Sequence, residues 1–254
     1  GGVVGDLAGF VASVFYRGVP FVQIPTTIVS LVDSSVGGKT GVNIAEGKNL
    51  VGAFHQPQLV IADPETLSTL PGREYREGYA EAIKHAAIRD AAMFEELEAL
   101  DSNDQAPPAE LIARNIAIKA SVVEEDEQET SGTRALLNFG HTIGHGIEAA
   151  VPYGTLLHGE AISLGIRAAL ILSEKYSTLT SEESERILAL LKKFQLPLQL
   201  PDSIATDIVL DKLKRDKKFS AGKINFVLLN KLGEAFVSKD VTWQAIEETV
   251  ETLR

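Results

Sequence analysis

The chain opens Gly1-Gly2-Val3-Val4-Gly5-Asp6, and an amphipathic run follows at once in Leu7, Phe10, Val11, Val14 and Phe15. A glycine-rich turn opening a helix lets backbone N–H groups approach a phosphate at the helix N-terminus, although tight turns and helix starts use glycine routinely. Such a turn normally follows a strand. None precedes it, so the sequence is expected to begin inside an α/β nucleotide-binding unit. Phe21-Val22-Gln23-Ile24-Pro25 and Leu59-Val60-Ile61-Ala62-Asp63 are short apolar runs ended by Pro or Asp, and they read as buried strands. The Gly-rich stretch from Asp33 to Asn43, with Glu46-Gly47-Lys48-Asn49 after it, reads as a long functional loop or hairpin.

From Gly72 onward the pattern turns helical. Residues 73–100 make one candidate helix, and the polar, Pro-ended stretch 101–108 is its loop. Helical periodicity continues over 110–125, 138–150, 157–176 and 181–194. The runs 224–229 and 234–237 predict a small hairpin. Trp243, Ile246, Val250 and Leu253 line one face of a last helix that Thr242 caps. A boundary therefore falls near Pro71, between an α/β part at 1–71 and a mainly α-helical part at 72–254.

At 254 residues and 44% hydrophobic composition, the chain can fill a sizeable core. Its longest apolar helical run, 161–172, is interrupted by Arg167 and falls short of the roughly 20 residues of a bilayer span. Neither a membrane segment nor a secretory leader is expected. The absence of cysteine removes disulfides and thiolate ligands together, which permits a reducing cytoplasm and leaves any metal to His, Asp or Glu. A formal charge of −11 argues against a nucleic-acid partner.

Against that acidic background three features carry chemistry. His141 and His145 are four residues apart and share a helix face, His158 opens the next apolar helix, and Glu81 lies on an earlier one. One carboxylate and two imidazoles suit a catalytic zinc-type ion, but helix-packing histidines meet the same spacing. The second feature is a set of cations on Gly-rich or uncharged ground: Arg17, Lys39, Lys48, Lys84, Lys119 and Arg134. A phosphate or carboxylate is their natural partner, and each taken singly also fits a solvated surface charge. The segment at Lys39 lacks the leading glycine of a Walker A loop. The third feature is the opening glycine run.

Several stretches in order resemble the 3-dehydroquinate synthase family. They are 1–10, Pro25-Thr26-Thr27, 32–40, Gly47-Lys48-Asn49, 70–74, Ala80-Glu81-Ala82-Ile83-Lys84, 136–145, Leu157-His158-Gly159-Glu160 and Asp216-Lys217-Lys218. The resemblance implies that 1–71 is the C-terminal part of a Rossmann-like NAD-binding domain lacking its N-terminal segment. It implies that 72–254 is the helical metal- and substrate-binding domain. Glu81, His141 and His158 resemble the family's zinc or cobalt ligands. Gly1, Gly2, Asp6, Thr26, Thr27, Lys39, Lys48, Thr69 and Leu70 resemble its NAD site. Asp33, Lys39, Asn49, Lys84, Lys119, Arg134, Asn138 and His145 resemble its substrate pocket, with Arg17 and one of Lys217 and Lys218 near the phosphate. His55 and His85 match no family ligand. The loop 126–134 is one residue longer than usual, so Glu129 aligns less firmly than Arg134.

The family's reaction is then the expected one. NAD oxidises a secondary alcohol of 3-deoxy-D-arabino-heptulosonate 7-phosphate, phosphate leaves, the ketone is reduced again, and the opened enol closes to 3-dehydroquinate. The resemblance thus implies a cytoplasmic, homodimeric lyase of the shikimate pathway and aromatic amino acid biosynthesis. This stretch alone is expected to bind NAD poorly and to be inactive. Another sugar-phosphate cyclase, or a metal-dependent NAD alcohol dehydrogenase of related fold, is the alternative. Changing Lys84 to Ala is expected to lower turnover by orders of magnitude at intact metal content while leaving folding nearly unaffected.

Overall fold

The computed structural model describes residues 1–44, 47–100, 106–127, 129, 132–152, 154–215 and 225–254. They form two compact units, Gly1–Gly78 with Asp104–Arg134, and Tyr79–Asn103 with Ala135–Arg254.

In the first unit, helix α1 (Gly2–Val14) starts within the glycine run, with Gly1 at its N-cap. Strand β1 (Val22–Gln23) pairs in parallel with β4 (Leu59–Val60). The Gly-rich stretch between them forms an antiparallel pair, β2 (Lys39–Ile44) and β3 (Gly47–Phe54), with Lys39 opposite Phe54. A wide helical turn, Ser30–Ser34, carries Asp33. Its start is tied by reciprocal bonds, Thr27 N–H to Ser30 Oγ at 3.0 Å and Ser30 N–H to Thr27 Oγ1 at 3.2 Å. Helix α2 (Gly72–Glu77) follows the strands.

Helix α5 (Ala109–Glu125) also belongs to this unit. Leu111, Ile112, Val122 and Val123 are buried, and Lys119 reaches Asp33 Oδ1 at 2.9 Å. The compact units therefore part at Gly78 and re-divide at 103/104 and 134/135, where a single division near Pro71 was expected. The physical reason is that Lys119 of α5, and Glu127, Glu129 and Arg134 after it, find their partners among the first 78 residues.

The helical unit holds α3 (Tyr79–Arg89), α4 (Ala91–Ala99), α6 (His141–Ala149), α7 (His158–Tyr176), α8 (Ser181–Lys193), α9 (Thr206–Arg215) and α10 (Trp243–Thr252). The antiparallel hairpin β5 (Phe226–Lys231) and β6 (Glu234–Ser238) completes it. The one helix expected over 73–100 is three. Gly78 ends α2, where a Cβ would lie 2.4 Å from Ile28 Cβ, and Asp90 opens α4 by accepting the Met93 N–H at 2.9 Å. Helix α9 was not anticipated.

Ile143, Ile147, Leu164, Leu172, Val209, Leu213, Phe226, Ile246 and Val250 build one core from α6, α7, α9, β5 and α10. Arg167 on α7 locks α10 onto it by donating to the carbonyls of Leu253 at 3.2 Å and Thr252 at 2.9 Å. Helices α6 and α7 meet through their backbones. A Cβ on Gly165 would lie 1.9 Å from the Gly140 carbonyl oxygen, so only glycine permits the approach. Among the described residues, no helix is long and apolar enough to cross a membrane.

Candidate active site

The close approach of α6 and α7 sets the positions of two histidines. His141 is the first residue of α6, entered through Gly140 in a left-handed conformation at φ +76°, and His158 is the first residue of α7. The start of α7 is held by Glu160, whose carboxylate accepts the Leu157 N–H at 2.8 Å. Glu81, in the first turn of α3, completes a group whose donor atoms all lie within 4.8 Å of one another. Nε2 of His141 and Nε2 of His158 each stand 3.4 Å from Glu81 Oε1. Lys84, one turn along α3, ion-pairs with the other carboxylate oxygen.

The remaining ring nitrogens are also placed. His141 Nδ1 lies 3.1 Å from the Phe139 carbonyl, an acceptor for the Nδ1 proton when Nε2 serves as a ligand. His158 Nδ1 faces Glu148 Oε2 at 3.5 Å. Burial would raise the Glu81 carboxyl, but Lys84, His141 and His158 hold it well below its usual range. Burial and the Lys84 charge push His141 below its ordinary value despite Glu81. Burial also opposes charging of His158, but bonds to Glu148 and Glu81 carry it up to about 10.

This donor set fits a divalent cation. Metal-binding histidines ordinarily donate the second N–H to a carboxylate or carbonyl, and both rings here have such an oxygen. Both Glu81 oxygens are buried without a hydrogen bond of ordinary geometry, and a cation would satisfy them. The His145 ring, on the exposed side of α6, is centred 5.1 Å from His141 and 5.9 Å from His158. Asn138 ends the turn Thr133–Asn138 in front of α6.

The other expected anion-binding residues fall in the α/β unit. Lys119 is buried and holds Asp33 through side chain and backbone. Arg134 is buried too and donates to the carbonyls of Glu127 at 2.6 Å and Gly37 at 2.9 Å. Glu129 ion-pairs with Lys39 and lies 3.7 Å from Arg134. Arg17 and Asn49 take no part in these contacts. Arg17 is exposed at φ 65°, and Asn49, at φ 51°, donates its N–H to Asn43 Oδ1 at 3.0 Å. Lys48 lies on β3 with its side chain outside the described atoms, and Lys217 and Lys218 lie outside the described residues.

The expected nucleotide residues line the start of α1. Gly1, Gly2 and Gly5 border a groove with Gln23, Pro25 and Ser34. A Cβ on Gly2 would meet Ser34 Oγ at 3.1 Å, and one on Gly5 the Gln23 amide at 2.9 Å, so side chains there would narrow the groove. Such a cradle at a helix N-terminus suits a pyrophosphate. Gly1 N donates to Thr26 Oγ1 at 3.2 Å, while Thr27 is engaged with Ser30. Desolvation raises the Asp6 carboxyl to about 6, Lys119 opposing and Asp33 assisting. Thr69 and Leu70 end the turn Pro64–Thr69. His55, set aside from the sequence, bonds the Val19 carbonyl at 2.9 Å and stacks on Phe21, and His85 is fully buried in α3.

Glu129, named from the sequence only as a loosely aligned residue, is the carboxylate that engages Lys39, and Glu148, which escaped the sequence reading, is the one that faces His158. Glu148 had a signal, since positions 141, 145 and 148 share a helix face.

The fold pairs an α/β unit with a helical one, and the site gathers a carboxylate and two imidazoles that could hold a metal ion. Residues 1–77 match the family model described as 3-dehydroquinate synthase N-terminal, and residues 78–219 match 3-dehydroquinate synthase C-terminal. A 3-dehydroquinate synthase of Picosynechococcus sp. is 44% identical over 98% of this chain and 70% of its own length. Among solved structures, 2-epi-5-epi-valiolone synthase from Streptomyces hygroscopicus subsp. jinggangensis, with NAD+ and Zn2+ bound, is 31% identical at TM-score 0.89, covering 100% of this chain and 71% of its own. A 2-deoxy-scyllo-inosose synthase complexed with carbaglucose-6-phosphate, NAD+ and Co2+ is 29% identical at TM-score 0.89, covering 100% and 72%. The chain belongs to the 3-dehydroquinate synthase family.

Proposed function

We infer that the protein cyclises a sugar phosphate by its family's reaction, converting 3-deoxy-D-arabino-heptulosonate 7-phosphate to 3-dehydroquinate and phosphate. NAD, recycled in each turnover, and a divalent cation, zinc or cobalt, are its cofactors. The observation that carries the reading is the group Glu81, His141 and His158, the first two buried, with each imidazole's second nitrogen already facing an oxygen. The reading extends to a carbon–oxygen lyase of the shikimate pathway, cytoplasmic and homodimeric. The cysteine-free composition agrees with that compartment.

Glu81, His141 and His158 would hold the cation, and Gly1, Gly2, Asp6 and Thr26 would border the nucleotide. When bound, NAD exchanges a hydride with the substrate and the cation polarises the oxygen at the reacting carbon. The chain's own groups do the rest. Lys84 is 1% exposed, so its ammonium is fixed rather than solvated, a charge organised in advance for developing negative charge. His145 is exposed beside the metal group, placed to pass a proton between substrate and water. Lys39, Lys119 and Arg134 supply cations for phosphate and carboxylate, and an incoming anion would compete with Glu129 for Lys39.

The full-length protein, given NAD, zinc and the keto-acid phosphate, should release phosphate in step with 3-dehydroquinate while reduced-cofactor absorbance stays at baseline. NADH rising with substrate consumed would select the dehydrogenase alternative. Phosphate released only from phosphosugars lacking a carboxylate would select another cyclase.

A further inference from the structure

Glu148 sits near the C-terminal end of α6, where a carboxylate opposes the helix dipole. Its side chain is only 14% exposed, so it also gives up much of its hydration. Two costs on one carboxylate call for a compensating contact. The structure supplies one in His158 Nδ1, 3.5 Å from Glu148 Oε2, on the ring edge opposite the nitrogen that faces Glu81.

Resting on the metal-centre reading above, we propose that Glu148 is a positioning residue for His158. It accepts the Nδ1–H, fixes the tautomer and the rotation of the ring, and so keeps Nε2 aimed at Glu81. The two histidines then reach one arrangement by different means. His141 is oriented by the backbone, through the Phe139 carbonyl that immediately precedes Gly140 and α6. Before His158 stands Leu157, whose N–H is taken by Glu160 as the start of α7 is closed. The orienting oxygen for His158 comes from the neighbouring helix instead. Because α6 and α7 touch through Gly165 and Gly140, Glu148 and His158 are carried on one rigid pair of elements. A carboxylate also raises the basicity of the ring it orients, which strengthens Nε2 as a ligand.

A second use of the same atoms is geometrically open. His145, Glu148 and His158 also offer donor atoms within 4.8 Å of one another. It would engage His158 Nδ1, the nitrogen whose proton the positioning role requires, so one experiment separates the two.

Zinc affinity and stoichiometry would be measured by competition with a chromophoric chelator for the unmodified protein, Glu148→Gln and Glu148→Ala. The His158 ring N–H proton would be followed by NMR with and without zinc. The proposal expects one zinc per chain throughout and affinity weakened about ten- to a hundredfold in Glu148→Ala. Glu148→Gln, which still offers a carbonyl oxygen, should recover part of that loss. The ring N–H signal should exchange faster in Glu148→Ala even without metal, which a role confined to helix stability would not produce in a variant of unchanged circular dichroism. Should Glu148→Ala misfold, the Gln variant and its ring signal carry the test. Affinity within about threefold of the unmodified protein with an unchanged ring signal would overturn the proposal. So would a second zinc lost on mutation, which would make Glu148 a ligand. Absence of zinc binding by the unmodified protein would sink the metal reading, while a ring signal that still depended on Glu148 would support the contact.

Discussion

The two units handle buried charge in opposite ways. In the helical unit, Glu81 and Lys84 are sealed from water, the carboxylate faces two imidazoles, and Ile143, Leu164 and Ile246 are fully buried in the unit's core. In the α/β unit, Lys119 and Arg134 are buried as well. Its cations meanwhile rest on Glu129, Asp33 and backbone carbonyls. The helical unit therefore carries its chemistry preassembled, with Glu81, Lys84 and His141 buried. The α/β unit carries cations that must change partners before they can hold anything else.

The most severe way to break this contrast is to open the helical unit at the contact between α6 and α7. Gly165→Ala puts a Cβ against the Gly140 carbonyl, at a spacing no side chain tolerates. Stability should fall by on the order of 4 kcal/mol or more, and zinc binding should fall with it because His141 and His158 separate. Thermal melting by circular dichroism and chelator competition check this together. A melting temperature within a few degrees of the unmodified protein would show that the helices can slide apart at little cost.

Lys84 sharpens the contrast at intermediate size. The expectation that Lys84→Ala spares folding does not fit a residue buried against Glu81. Removing one partner of a buried pair costs about 3–5 kcal/mol. Zinc should restore part of that, since a ligand of the folded state stabilises by mass action, while turnover stays down by orders of magnitude. Denaturant titrations with and without zinc, beside the phosphate assay, measure both. A variant as stable as the parent without metal would mean that Glu81 does not need the lysine.

The smallest effect belongs to Asp6 in the α/β unit. Its folded pKa, about 6, lies above the ordinary 3.8, so its contribution is fully present below about 3.8 and is lost as pH rises through 6. Asp6→Asn should therefore raise the melting temperature slightly above pH 6 and leave it unchanged near pH 3.8. A gain that grew as pH fell would contradict the sign.

Local pattern carried far along this chain. The spans of α5, α7, α8 and α10, the Thr242 cap and the hairpin follow from periodicity and capping residues, because each is decided within a few turns. The metal trio needed the family resemblance, since spacing alone favoured helix-packing histidines. The split of 73–100 was hidden because Gly78 owes its role to Ile28, fifty positions away. The affiliation of α5 was hidden for the same reason: Lys119 and Asp33 are separated by 86 residues. Glu148 is legible as a neighbour of His145 on α6, but its partner arrives from a different helix.

The path of the chain between the units has a consequence for synthesis. It leaves the α/β unit after Gly78, builds α3 and α4 elsewhere, returns for 104–134, and leaves again. As residues emerge in order from a ribosome, Asp33 and the Gly37 carbonyl are made long before Lys119 and Arg134, which bind them. Domain-by-domain folding from the N-terminus is closed to such a chain, and contacts of this separation form slowly. The α/β unit can finish only after part of its neighbour has been made, so its first 78 residues must wait, incompletely paired, for α5 to arrive.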